Sequence, residues 1–248
     1  MPTALITGAS SGIGADLARE FAHAGYDVIL LARRRDRLDT LAAELGHTAR
    51  VLVADLAAAD APAQIFAATG PVDLLVNNAG FGGYAAFASQ DIGAQAAMIQ
   101  VNITALTALT RLYLPAMLER RAGRVLNVAS IVGFMPCPGL AEYAASKAYV
   151  LALSEALYAE LQGSGVTVTC LCPGATETEF AAIAGMRGKL AMRRPMSAAA
   201  VAQAGARATL AGQRLIVTGT QNQLTSLLPR LLPRGLLLRG VRKLLTGR

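Results

Sequence analysis

The feature that most constrains this chain is an alternation. Short apolar runs at 3–7, 28–32, 51–54, 74–77, 125–129, 166–172 and 215–217 are separated by longer stretches whose apolar residues recur at helical spacing. Strands that alternate with helices pair in parallel, because each crossover helix returns the chain to the same end of the sheet. A sheet covered by helices on both faces needs strands that are apolar throughout, and Val28-Ile29-Leu30-Leu31-Ala32 is of that kind. The expected fold is one α/β domain: a doubly wound, seven-stranded parallel sheet with helices on both faces. It occupies 1–223, with 224–248 as a basic amphipathic extension of the same domain.

With 54% hydrophobic residues there is ample core for such a sheet. The surplus does not read as a membrane span, because the longest uncharged run, 92–110, is broken by Gln95, Gln100, Asn102 and several threonines. The N-terminus enters a strand almost at once, with no basic, apolar or cleavage region ahead of it, so a cytoplasmic protein is expected. Cys170 and Cys172 lie two apart in one strand and read, like Cys137, as small core residues; His23 and His47 read as surface residues, and no metal site is expected. The net charge of +7 is local: residues 224–248 carry six basic and no acidic side chains, whereas the 223 before them hold 17 basic and 16 acidic. No basic body surface or aromatic-rich module accompanies it, so nucleic acid is not an expected partner.

Ligands of an open parallel sheet bind at the carboxyl ends of its strands, where loops and helix N-termini converge. Directly after the first strand comes Thr7-Gly8-Ala9-Ser10-Ser11-Gly12-Ile13-Gly14, opening a helix. Glycines there allow a tight turn and let backbone amides approach a pyrophosphate. The spacing TGxxxGxG resembles that of the classical short-chain dehydrogenases/reductases, which implies a Rossmann-type fold and contacts to a dinucleotide from Gly8, Ser10, Ser11, Gly12, Ile13 and Gly14. An NAD-binding chain would place an acidic residue at the end of the second strand; here Ala32 stands there, followed by Arg33-Arg34-Arg35. A guanidinium suits a 2′-phosphate, so Arg33 points to NADP, while Arg35 and Arg37 read as a solvated charge run opening the next helix. Ser11 stands where many NADP-binding members carry a second basic residue. After the third and fourth strands, Asp55-Leu56 and Asn77-Asn78-Ala79-Gly80 match the family's adenine-side aspartate and its NNAG segment, adding Asp55, Leu56, Asn77, Ala79 and Gly80 to the expected cofactor contacts.

Tyr143-Ala144-Ala145-Ser146-Lys147 places a phenol and an ammonium on one helix face. Alone, that spacing usually marks a surface pair. Here it follows Ser130 at the end of the fifth strand and Asn102 in a helix, together with the glycine loop. Reducing a carbonyl leaves charge on oxygen, so a proton donor is required there. Tyr143 is suited by type, and an ammonium about 4 Å away at an effective dielectric near 20 is worth roughly 4 kcal/mol, which would bring its pKa near neutrality. The resemblance implies the same tetrad: Tyr143 as donor, Lys147 also on the nicotinamide ribose, Ser130 on the substrate oxygen, and Asn102 in a proton relay. Pro173-Gly174-Ala175-Thr176-Glu177-Thr178 resembles the family's PG motif, with Pro173, Gly174, Thr176 and Thr178 beside the nicotinamide and phosphates.

The chain therefore reads as an NADP(H)-dependent oxidoreductase moving a hydride between nicotinamide and a carbonyl or alcohol carbon. A noncatalytic NADP sensor would need only the cofactor half, and an epimerase or dehydratase of the extended family would normally carry TGxxGxxG. Phe134, Met135, Phe180, Ile183 and Met186 suggest an apolar cleft for an acyl, steroid, retinoid or similar carbonyl, although each alone also fits core packing, and polar substrates stay open. By resemblance the chain is expected to be a homodimer or higher homo-oligomer, with the helices of Asn102 and Tyr143 at the interface. In 224–248, Leu227, Leu228, Leu231 and Leu232, then Val241, Leu244 and Leu245, fall at helical spacing between the basic residues, and Pro229 and Pro233 prevent one continuous helix. Such helices would cover the cleft, rest on an anionic membrane surface, or pack on the body or a partner subunit.

Overall fold

The structure is a computed structural model that describes residues 1–185 and 195–246. All seven expected strands are present: β1 (Thr3–Thr7), β2 (Asp27–Ala32), β3 (Ala49–Val53), β4 (Leu74–Asn77), β5 (Gly123–Val128), β6 (Val166–Cys172) and, after a two-stranded ribbon of β7 (Thr176–Glu177) and β8 (Met196–Ser197), β9 (Leu215–Val217). They form one parallel sheet in the order β3-β2-β1-β4-β5-β6-β9. Successive residues of a strand point to opposite faces, and the core divides accordingly. Ala4, Ile6, Val28 and Leu30 pack under α1 (Gly12–His23), α2 (Arg35–Leu45) and α8 (Ala198–Leu210), whereas Leu5, Ile29 and Leu31 pack under α3 (Ala61–Thr69), α5 (Leu106–Glu119) and the end of α6 (Ala141–Glu160).

Helix α4 (Ile92–Ile99) runs into α5 through a π-helical turn, Gln100–Ala105. The combined helix, Ile92–Glu119, is long and apolar enough by composition to cross a membrane. Its placement accounts for the apolar content differently: Val101, Ala105, Leu109, Tyr113 and Met117 are core residues against the sheet. Ile92, Ile99 and Leu118 remain exposed. Cys170 and Cys172 are fully buried free thiols, Cys137 is buried too, and His23 and His47 are exposed. Among the described residues no group of three or more His, Cys, Asp or Glu side chains is placed to hold a metal.

A buried polar ladder ties the sheet to two helices. The Asn77 amide donates to Thr110 Oγ1 at 3.0 Å and to Asn127 Oδ1 at 2.9 Å, and the Asn127 amide donates to Ser154 Oγ at 2.9 Å. The Asn77 side chain thus points along the β4–β5 rung toward α5 and supports the sheet, and the residue does not line the cleft at the carboxyl ends of the strands.

The short α7 (Phe180–Ile183) follows β7, and the tail folds as α9 (Thr220–Leu231) and α10 (Arg234–Thr246). Pro229 lies inside α9 and the break falls at Pro233, so one proline, not two, divides the segment. Leu237, Val241 and Leu245 of α10 pack against Cys137, Leu140, Ala144 and Ala184 of the body, while Leu227, Leu228, Leu231, Leu232 and Leu244 stay exposed. Arg248 lies outside the described residues.

Candidate active site

The strand order reverses at β1, with β2 on one side and β4 on the other, so the loops after β1 and β4 meet. Thr7 joins them: its hydroxyl donates to Val76 O at 3.1 Å and accepts from the Asn78 and Ala79 amides at 3.0 Å. The Asn78 side chain donates back to Thr7 O and Gly8 O. Gly8 has a positive φ of 68°, and a Cβ on Gly14 would run into the Gly8 carbonyl, so both positions require glycine. Ser11 caps α1 without its side chain accepting from a helix amide, leaving the first amides of the helix directed at the cleft.

A cleft of about 530 Å³ runs from this loop across the carboxyl ends of the strands. Gly8, Ser10, Ser11, Gly12, Ile13, Gly14, Arg33, Asp55, Leu56, Ala79, Gly80, Pro173, Gly174, Thr176 and Thr178 all line it. Arg34 lines it too, and its setting could not be read from sequence. Its guanidinium donates to Ser10 Oγ at 3.0 Å and Ser11 Oγ at 2.8 Å, and pairs with Glu179 at 2.8 Å; Arg37 reaches the same carboxylate. Those two arginines hold the Glu179 carboxyl well below the usual range. Arg33 is 71% exposed, and its nearest charge is Asp55 at 3.9 Å.

At the other end of the cleft, α6 presents Tyr143 and Lys147, and the turn after β5 presents Ser130. Lys147 is buried and donates to Val128 O at 2.8 Å; its ammonium lies 5.7 Å from the Tyr143 ring centroid. Burial lowers the Lys147 pKa to about 8. Tyr143 is partly exposed as a residue, but its phenol is enclosed; burial pushes its pKa up, and the Ser130 hydroxyl works weakly against that. The expected fall toward neutrality is therefore not seen: the ammonium is held on a backbone carbonyl, and desolvation dominates. Asn102 does not line the cleft. It sits one layer behind, in the π-helical turn, exchanging hydrogen bonds with the Phe81 backbone and donating to Ser146 Oγ, which donates to Tyr143 O. Gly80 lies against it, since a Cβ there would meet Asn102 Oδ1 at 3.0 Å and Lys147 Nζ at 3.2 Å.

The outer wall is apolar. Phe180 packs on Tyr143 with ring centroids 5.1 Å apart, and Ile183, Val132, Leu140, Phe81 and Leu245 complete it. Leu245 comes from α10, and Tyr84 donates to its carbonyl at 2.9 Å. Of the expected apolar residues, Phe180 and Ile183 face the cleft. Phe134 instead packs with Val150 and Cys170, Met135 packs beside α10, and Met186 lies outside the described residues.

Residues 2–185 match the family described as short chain dehydrogenase. The chain belongs to that family. Curated members include a short chain dehydrogenase of Pseudocercospora fijiensis, 41% identical over 73% of this chain and 61% of that protein. Another is sulfoacetaldehyde reductase 2 of Chromohalobacter salexigens, 42% identical over 71% and 73%. Among solved short-chain dehydrogenases, one from Sphingobium yanoikuyae in complex with NADPH superposes with a TM-score of 0.82, at 33% identity and covering 95% of both chains. The tail helices α9 and α10 and the Leu245 wall lie beyond the segment that matches the family.

Proposed function

We propose that this short-chain dehydrogenase is an NADP(H)-dependent oxidoreductase that interconverts a carbonyl and a secondary alcohol, acting as a reductase of a lipophilic carbonyl of acyl, steroid or retinoid type. The observation that carries the reading is a single cleft with a guanidinium over the glycine loop at one end and, at the other, the Tyr143 phenol with Ser130 and a buried ammonium. The residues fit a dinucleotide: loop amides and Arg34 for its phosphates, and Lys147 and Thr178 toward its nicotinamide half. The NADPH complex of the Sphingobium yanoikuyae neighbour supports that choice. When bound, the nicotinamide supplies or accepts the hydride.

Tyr143 is protonated at neutral pH, as the donor for a carbonyl oxygen must be. Ser130, which lines the cleft with Tyr143, orients that oxygen, and Lys147 places a positive charge beside it below about pH 8. Asn102 positions rather than reacts, since it reaches Tyr143 through Ser146. The wall of Phe180, Ile183, Leu140 and Leu245 excludes water and favours an apolar substituent on the carbonyl. The exposed Ile92, Ile99, Leu118 and Tyr149 on the helices that carry Asn102 and Tyr143 suit a homo-oligomer interface, and a cytoplasmic location belongs to the same reading. NADPH-oxidation assays against carbonyls graded by chain length and polarity test it. Activity that rises with apolar chain length is expected, and turnover confined to small charged aldehydes would overturn the substrate class.

A further inference from the structure

Helix α9 turns its apolar side outward. Ser226 is its buried residue, whereas Leu224, Leu228 and Leu231, at helical spacing on the opposite side, are 69%, 41% and 75% exposed, with exposed Leu227 and Leu232 beside them. A contiguous leucine stripe on a folded surface marks a face that something covers. On α10, Leu237, Val241 and Leu245 face the body, while Leu236 and Leu244 stay exposed near Arg239 and Lys243.

Charge decides the occupant. All 16 acidic residues of the chain lie at or before Glu179, and the 69 residues after it contain 12 basic side chains and no acidic one. Arg230, Arg234, Arg239 and Lys243 are exposed around the leucines. A second copy of this face would oppose cation to cation, and a nucleic acid would leave the leucines uncovered. An anionic bilayer satisfies both halves, taking leucines into the headgroup–acyl boundary and basic groups onto lipid phosphates.

We propose that the outer face of α9 and α10 docks on an anionic lipid surface. The inner face of α10 contributes Leu245 to the catalytic cleft and packs beside Tyr143 and Phe180. Docking therefore sets the mouth of the cleft at the bilayer, where a membrane-dissolved carbonyl enters; that entry route rests on the substrate reading given above, whereas docking does not.

The test is co-sedimentation of the full-length protein with phosphatidylcholine vesicles, with and without phosphatidylserine, across a salt series. Pelleting only with phosphatidylserine, and release by salt, is expected. Each basic side chain near an anionic leaflet is worth roughly a fivefold change in partition, so Arg239→Glu with Lys243→Glu lowers binding by more than about tenfold. Leu224→Ser with Leu231→Ser does likewise, and both variants keep their melting temperature and their activity toward a water-soluble carbonyl. Absence of pelleting by the wild type with anionic vesicles overturns the proposal. So does lipid binding unchanged in both variants, and so does a leucine variant that binds vesicles normally but sediments as a smaller oligomer, which would assign the stripe to a second copy. Lipid binding by a protein that reduces none of the carbonyls leaves docking standing and removes the substrate reading instead.

Discussion

Exchanging Arg34 for alanine separates the roles of the two arginines that follow β2. The Arg34 guanidinium is anchored over the phosphate loop by Ser10 and Ser11, whereas Arg33 projects toward solvent with Asp55 at 3.9 Å. A hydrogen bond to a charged group contributes about 1.5–3 kcal/mol, and Arg34 is partly exposed, so the lower half of that range applies. At 1.4 kcal/mol per decade the expected loss is about tenfold to thirtyfold in affinity for NADPH, with NADH nearly unchanged. Glu179→Gln is expected to move the other way, strengthening NADPH a few fold by removing the carboxylate that now occupies the same donors. Titration by nicotinamide fluorescence reads both directly, since the chain has no tryptophan to transfer energy to it. Equal losses for NADPH and NADH would remove the 2′-phosphate from Arg34. A larger selective loss in Arg33→Asp than in Arg34→Ala would return it to Arg33.

Four further outcomes follow from the geometry. Tyr143→Phe abolishes carbonyl turnover and leaves NADPH affinity within a few fold; substantial turnover in stopped-flow assays would take the phenol out of the mechanism. Lys147→Met is inactive yet more heat-stable at pH 7, because a lysine whose pKa falls to about 8 on folding costs stability while charged. Between pH 8 and the unfolded lysine value the unfolded chain binds the extra proton, so wild-type stability rises with pH there and the gain from Met shrinks; a variant that melts lower than wild type at pH 7 contradicts this. Gly82→Ala drives a methyl into the Tyr143 ring, so kcat should fall by about a hundredfold or more with circular dichroism unchanged. Asn127→Leu removes a buried partner from Asn77 in the sheet and from Ser154 on α6 and should cost about 2–4 kcal/mol, read as a fall of several degrees in Tm.

The seven strands were legible because an apolar run between turns is a local signal, and four of them kept their expected bounds. Most cleft residues were legible for a related reason: parallel topology places every post-strand loop at one end. What escaped is set by side-chain direction and by distant packing. Nothing in Arg33-Arg34 says which guanidinium turns over the glycine loop, and the partner that shares Arg34, Glu179, is 145 residues away. Asn77 and Asn78 are adjacent, yet strand alternation sends the first into the sheet and the second to the phosphate loop. Phe134 and Phe180 are equivalent as apolar residues near a motif; only the packing of the short 3-10 turn at Ile131–Phe134 and of α7 sets one against Val150 and Cys170 and the other on Tyr143. The charge on the tail was visible, but not that Leu245 forms a wall of the cleft.

The Asn77–Asn127 ladder gives the two walls of the cleft different lifetimes. Through Thr110 and Ser154 it fastens β4 and β5 to α5 and α6, the helices that extend from Asn102 and carry Tyr143 and Lys147. Amides of that wall should exchange with solvent deuterium only when the whole domain unfolds. The facing wall is Phe180 and Ile183 on a four-residue helix and Leu245 near the end of α10, held by an apolar contact layer, by Tyr84 bonds to Ala184 O and Leu245 O, and by the Glu179 ion pairs at the start of the helix. Its amides should exchange through local opening, orders of magnitude sooner. If the two walls do exchange so differently, the half of the cleft that opens to substrate and the half that carries the proton-transfer groups are separate cooperative units, meeting where Phe180 packs on Tyr143.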